Sequence, residues 1–354
     1  MKVDRSFFVH VGLLCASVVF AVGVWTRDKQ PKTLVESNVV VWQGRAADIS
    51  RIAYEGKSKK VSLEAQKDAE GIFFVGSVDK EVTVAKKPDG NAADAGAGDA
   101  GEAAAPEPAV PAPVKERSVT AFVSVSGAQK LTEQLAPLKA LRGIGRLGEE
   151  RAAEFGLKEP EGTLSVLIGT TERKLIFGAA TPGGGDRYAK DPATGEVYAI
   201  KGDIFRSLDN AESNLIERGL HEWTEADVGS VTISAQGKTR KLLRAGPEGK
   251  RFWADPSAPE TNDETVGNWM SKLERLRPTE YVQGGKEEGR DVVVRVDYEN
   301  AAGKKLGFAE LVKTPPAAGA KPDYLIVSER TRLLSKVTAQ TAEQVEQDVA
   351  SLMK

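Results

Sequence analysis

The sequence predicts an α+β fold: two tandem copies of an antiparallel β-meander/helix unit behind one N-terminal transmembrane helix. Three observations predict it. The first is an internal repeat, in which Ser50–Gly76 (SRIAYEGKSKKVSLEAQKDAEGIFFVG) is echoed by Val228–Asp255 (VGSVTISAQGKTRKLLRAGPEGKRFWAD). Ile52 matches Ile233, Gly56-Lys57 matches Gly237-Lys238, Val61 matches Leu242, and Phe74 matches Phe252. The second is the order of elements. Short alternating runs are joined by links too short for parallel crossovers, and a helical stripe follows each set. The third is Phe7–Trp25 (FFVHVGLLCASVVFAVGVW), which holds no Asp, Glu, Lys or Arg. As a helix it is long enough to cross a hydrocarbon layer of ~30 Å.

The N-terminal membrane anchor is assigned to residues 1–27 and a polar stalk to 28–38. Lys2 and Arg5 precede the apolar stretch, and Arg27, Lys29 and Lys32 follow it, so the positive-inside balance is close to even. The short head and the large following domain favour a signal-anchor. The chain would then be single-pass in the inner (cytoplasmic) membrane, with its bulk periplasmic or extracytoplasmic. The competing reading is a cleaved signal peptide, for which Ala21-Val22-Gly23 offers small residues. A lipoprotein is disfavoured by Leu14, which sits where a small residue should precede Cys15. The single cysteine rules out an intramolecular disulfide or a cysteine zinc cluster.

The first repeat spans 39–222. Val39–Trp42 is β-prone. Ile49–Tyr54 and Lys59–Leu63 flank a hairpin turn at Glu55–Ser58, and Gly71–Val75 is the next strand. Pro88–Pro113 is Ala, Gly, Pro and acid. It cannot bury enough apolar surface to offset its chain entropy, which predicts a disordered loop over 86–116 between two strands of one domain. Ser118–Val125 alternates like a strand. Ser126 with Gln129 and Thr261 with Glu264 read as capping boxes. Leu131, Leu135, Leu138 and Leu141 form a helical stripe, repeated as Val266, Met270, Leu273 and Leu276. Hairpins follow at Thr163–Phe177 and Asp291–Phe308, with further strands at Tyr188–Lys190, Val197–Ile200 and Tyr324–Ser328. Short helices at Ile204–Leu208 and Arg332–Val337 close the copies. The second repeat, 223–354, ends in a helix over Thr341–Met353.

The composition is that of a globular protein, 40% hydrophobic and 28% charged in 354 residues. A net charge of −2 gives no basic surface for nucleic acid. No enzyme activity is predicted, and no catalytic, cofactor-binding or metal-ligating residue is assigned. Only His10 and His221 are available as imidazoles, and His10 lies in the apolar stretch. A metal site needs three or more converging ligands, and no spacing suggests them. Gly183-Gly184-Gly185 lacks the Lys-Ser/Thr of a phosphate loop and reads as a hairpin tip. Trp42, Trp223, Trp253 and Trp269 would suit a sugar platform, but packing is the better reading.

Phe155–Leu167 (FGLKEPEGTLSVL), Ile176-Phe177-Gly178, Thr181–Tyr188 (TPGGGDRY), Gly195–Ile200 (GEVYAI), Ile204–Leu208 and Asn214–Leu220 (NLIERGL) carry a resemblance. The chain resembles the bacterial family called domain of unknown function 4340, most clearly over Ala128 to Val282. The resemblance implies a single-helix-anchored extracytoplasmic protein associated with ABC-type transport components of the gliding-motility kind. It supplies no catalytic residues. Two functions follow as expectations. The first is an accessory or scaffold protein that acts by protein contact with an ABC-type transporter or envelope complex. The alternative is a module that binds envelope glycan or lipid in the inter-repeat cleft, which a concave, aromatic-lined cleft would favour. A hydrolase using His221 or an acid pair is a third.

Overall fold

The computed structural model describes residues 39–84, 114–282, 290–315 and 321–354. Phe7–Trp25, the stalk, Cys15 and the Ala/Pro tract lie outside the described residues. Among the described residues no helix is long and apolar enough to cross a membrane. The described chain is mostly β, with three antiparallel sheets, and this corrects the α+β expectation.

The strands of the first half are β1 (Val39–Trp42), β2 (Ile49–Gly56), β3 (Lys59–Asp68), β4 (Gly71–Val84), β5 (Val114–Ser124), β6 (Leu138–Ala140), β7 (Arg142–Arg146), β8 (Gly162–Ile168), β9 (Thr171–Ala180), β10 (Arg187–Lys190) and β11 (Glu196–Ile200). Nine of them form one sheet in the order β5-β4-β3-β2-β8-β9-β10-β11-β7, while β1 pairs with β6 apart from it. The second half contributes β12 (Val228–Ala235), β13 (Lys238–Ala245), β14 (Phe252–Ala254), β15 (Glu280–Tyr281), β16 (Asp291–Asn300), β17 (Lys305–Lys313), β18 (Tyr324–Ser328) and β19 (Ser335–Lys336). Their order is β14-β13-β12-β16-β17-β18-β19-β15.

The two large sheets share a local grammar. A 3-10 turn, Ala46–Asp48 or Glu225–Asp227, leads into β2 or β12. Each of these strands is irregular against its neighbour directly after its first residue, Ile49 or Val228. This pairing makes Leu63 the counterpart of Leu242 and Tyr54 that of Ile233, two residues from the match read in the sequence. A slip of two keeps every side chain on its face, so the alternation alone could not expose it. The second hairpin turns in only two residues, Gln236 and Gly237, both at positive φ. That geometry suits glycine and is the favoured two-residue hairpin link.

The β content exceeds the expectation because strands run longer and helices stop sooner. β5 pairs with β4 along its whole length, from Phe74↔Ser124 to Val84↔Val114, so a strand already begins at Val114 within the expected 86–116 loop. The first leucine stripe is not one helix. The helix Ser126–Leu135 ends before Pro137, and Leu138 belongs to β6. Proline disfavours helix at the residue before it and cannot donate in the ladder. The helix expected over Arg332–Val337 is instead a turn followed by β19. Neither predicted capping box forms. Ser126 Oγ donates to Glu217, and the second helix, Glu264–Leu273, is capped by Asp263, which accepts from Val266 N at 3.0 Å. The helices Gly202–Asp209 and Ala339–Leu352 match the expectation, with Val345, Val349 and Leu352 buried.

Two buried clusters fill the molecule. One gathers Ile52, Tyr54, Leu63, Phe122, Leu131 and Phe177. The other gathers Val231, Ile233, Leu242, Trp269, Val296 and Val345. Each fully buried aliphatic side chain contributes about 1.5–3 kcal/mol. The halves meet through an ionic joint. Arg330 Nε lies 2.9 Å from Glu217 Oε1, an ion pair off the hydrogen-bond line, and its other nitrogens reach His221 O and Ser126 Oγ. Tyr281 packs into the first cluster and donates to Glu217 O at 2.7 Å. The joint is therefore filled, and it fixes the chain segment that runs into the second half.

Candidate functional site

That segment, Arg218–Val228, forms one wall of a cavity of about 1090 Å³. The opposite walls are β13 at Arg244, Arg251–Trp253, and the helix Glu264–Leu273 with its exit at Glu274–Arg277. Tyr298 of β16 closes the interior. No lining residue precedes Arg218, so the cavity belongs to the joint and the second half. Arg218 to His221 close the first repeat as the sequence divides it, and every other lining residue belongs to the second.

The interior is aromatic. His221 stacks on Trp223 with ring centroids 4.0 Å apart at 21°, and Tyr298 stands against both rings at 4.8 and 4.5 Å. Trp253 is buried and lies 4.8 Å beneath the Arg244 guanidinium. Of the four tryptophans weighed as a platform, Trp223 and Trp253 line this cavity. Trp42 and Trp269 are packing residues whose indoles donate to Leu135 O at 2.7 Å and Val345 O at 3.0 Å.

His221 is held from behind. Its Nδ1 lies 2.8 Å from Glu329 Oε1, and the two side chains are only 5% and 10% exposed. Glu329 Oε2 accepts from Phe308 N at 2.8 Å. With Glu329 Oε1 as the acceptor, Nδ1 carries a proton, and Nε2 is the ring nitrogen without a partner among the described residues. Gly307 makes the arrangement fit, because a Cβ there would run into the Glu329 carboxylate. Tyr298 donates to Glu274 Oε1 at 2.9 Å. Burial pushes its phenol far above the usual tyrosine range, and Glu274 adds to the effect. Tyr298 is therefore a fixed donor rather than a base.

Three nitrogens in the lining residues have no hydrogen-bond partner among the described residues: His221 Nε2, Trp223 Nε1 and Arg244 Nε. A buried polar group left unsatisfied costs about 1–3 kcal/mol, and the described residues hold five more outside the lining. The third expectation, a hydrolase built on His221, gains its orienting carboxylate in Glu329. No hydroxyl or thiol among the described residues bonds Nε2. Among the described residues no group of three His, Cys, Asp or Glu could hold a metal. Gly183-Gly184-Gly185 sits in the bend between β9 and β10, away from the cavity lining.

Sequence reasoning missed Glu329, Tyr298, Glu274 and the arginines. A faint signal was present in the adjacency of cations and aromatics at His221-Glu222-Trp223 and Arg251-Phe252-Trp253. Glu329 had none, because it joins His221 across 108 positions.

The family model described as Domain of unknown function (DUF4340) matches residues 127–292, which supports the domain-family resemblance. The matched span takes in every cavity-lining residue except Tyr298. No curated protein and no solved structure matches the chain.

Proposed function

We propose that this chain is a binding module, without a reaction of its own, that takes a small polar molecule bearing a ring, such as a glycan unit, in the cavity beside His221. The observation that carries this reading is the aromatic-walled cavity with three unsatisfied nitrogens. Its volume of about 1090 Å³ is ample, since small-molecule pockets run from about 300 to 1,000 Å³. Flat aromatic faces pack against sugar rings, and unsatisfied ring nitrogens suit hydroxyl groups. A lipid chain fits less well, because it would strip water from arginine and glutamate side chains without replacing their hydrogen bonds.

The location and partner are proposed on sequence grounds. The uncharged stretch Phe7–Trp25 supports attachment at the inner membrane with the module outside the cytoplasm. The family resemblance supports an ABC-type transport complex as the setting. A pull-down from native membranes that repeatedly recovers no transporter component would remove the partner from this reading.

The binding reading is tested by titrating the full-length chain, in mild detergent, with a glycan panel while following tryptophan fluorescence. A saturable change that Trp223→Ala weakens at least tenfold is expected. A panel that leaves the emission unchanged, with calorimetry also silent, overturns it.

A further inference from the structure

The cavity's rim carries a charge pattern that the chain as a whole does not share. Five arginines and no lysine line it, against three glutamates, in a chain whose net charge is −2. Arg244 is paired with Glu225. The other four, Arg218, Arg251, Arg275 and Arg277, have no carboxylate within ion-pair distance among the described residues. Three of them are nevertheless held in place by backbone carbonyls, and Arg218 Nη2 donates to Glu212 O at 3.4 Å. Arg251 Nη1 donates to Ala226 O at 3.0 Å, and Arg277 Nη1 donates to Glu274 O and Leu276 O at 2.5 and 2.8 Å. Carbonyl contacts fix a guanidinium without neutralising it, and they leave its remaining N–H groups free to donate.

Four unneutralised cations at one mouth repel one another and focus a positive potential into the cavity below. Guanidinium in particular matches oxyanions, because its planar fork donates two parallel hydrogen bonds to a carboxylate or phosphoryl group. Lysine, the commoner choice for a merely solvated surface, is absent from the lining. Beneath this rim lie Trp223, stacked on His221, and the buried Trp253 under Arg244; the His221 side chain is 95% buried, and its Nε2 lacks a partner among the described residues.

Resting on the binding reading above, we propose that the ligand is an anionic ring compound, its oxyanion held by the rim arginines and its ring lying on the tryptophan floor. The anion is a carboxylate or a phosphoryl group. The geometry divides the work: the rim supplies attraction and orientation, while the aromatic interior supplies the ring contact. Neither half alone explains the pattern. An anion site needs no aromatic floor, and a neutral-sugar site needs no ring of uncompensated arginines.

The test uses four probes on the full-length chain: glucuronic acid, glucose 6-phosphate, glucose and inorganic phosphate, with binding read by calorimetry and tryptophan fluorescence. One or both charged sugars should bind at least tenfold more tightly than glucose and than phosphate. Whether the uronic acid or the phosphate ester leads identifies the oxyanion. Arg275→Gln combined with Arg218→Gln should erase that tenfold preference while leaving Tm unchanged, because both residues are exposed. Raising salt from 50 to 300 mM should weaken the charged sugars and spare glucose. Glucose binding as tightly as the charged sugars overturns the anion inference and leaves the binding reading standing. Phosphate alone binding as tightly as the sugar phosphate overturns the two-part division. No binding by any probe overturns this inference, while the binding reading is decided separately by the glycan panel.

Discussion

At the scale of single residues, His221 shows what a sequence conceals. Two histidines in 354 residues made it the sole imidazole outside the apolar N-terminal stretch, yet nothing nearby in sequence indicated its role. Its orienting partner, Glu329, arrives from the β18 hairpin and is itself gripped by Phe308 N. The carboxylate thus serves two donors with its two oxygens. Glu329→Leu removes both acceptor oxygens, so neither His221 Nδ1 nor Phe308 N keeps its partner. Urea unfolding should show a loss of about 1–3 kcal/mol. Trp223→Phe makes the opposite case: it removes an indole N–H that has no partner among the described residues and keeps an aromatic face against His221. Its stability should match or exceed that of the native chain, while its ligand affinity falls. A Trp223→Phe variant that unfolds more easily would mean that the indole is needed for packing rather than for ligand.

At the scale of elements, hairpins were legible and helix ends were not. Turn residues and alternation act over a few positions, so β2–β3, β8–β9 and β16–β17 fell where the sequence indicated. Helix limits depended on competition. Pro137 cut the first leucine stripe, and the capping role passed from Thr261 to Asp263. Two variants check the second case. Asp263→Ala should cost about 0.5–2 kcal/mol by thermal or chemical unfolding, and also lose the 2.8 Å contact with Arg240. Thr261→Ala should cost almost nothing. Equal losses would restore the predicted capping box. The C-terminal helix offers a pH test. Burial raises the Glu346 carboxyl, but hydrogen bonds from Tyr324 and Lys313 outweigh it and hold the group below its usual value. A depressed carboxylate stabilises above its unfolded value, about pH 4.3, and loses that contribution as pH falls through its folded value. Between about pH 5 and 3, Glu346→Gln should therefore lose less stability than the native chain. An identical acid slope would show that the pairing contributes nothing.

At the scale of the whole molecule, the two large sheets share a strand order apart from β5, which has no counterpart, and an irregularity at Ile49 and Val228. The α+β label failed because β4 and β5 extend far beyond their alternating centres, and because the end of the first leucine stripe and Arg332–Val337 form strands and turns. The cavity was unreadable from sequence because its walls come from five separated segments between Arg218 and Tyr298. The aromatic residues were visible, but their division into packing and lining was not. That division supplies internal controls for the binding reading. In a 15N-labelled sample, glucuronic acid or glucose 6-phosphate, whichever binds, is titrated while the tryptophan indole signals are followed, each assigned by a Trp→Phe variant. The Trp223 and Trp253 indoles should move together and saturate, while Trp42 and Trp269, tied to Leu135 O and Val345 O, stay still. Saturable binding that moves neither Trp223 nor Trp253 would place the ligand elsewhere and contradict the assignment of this cavity.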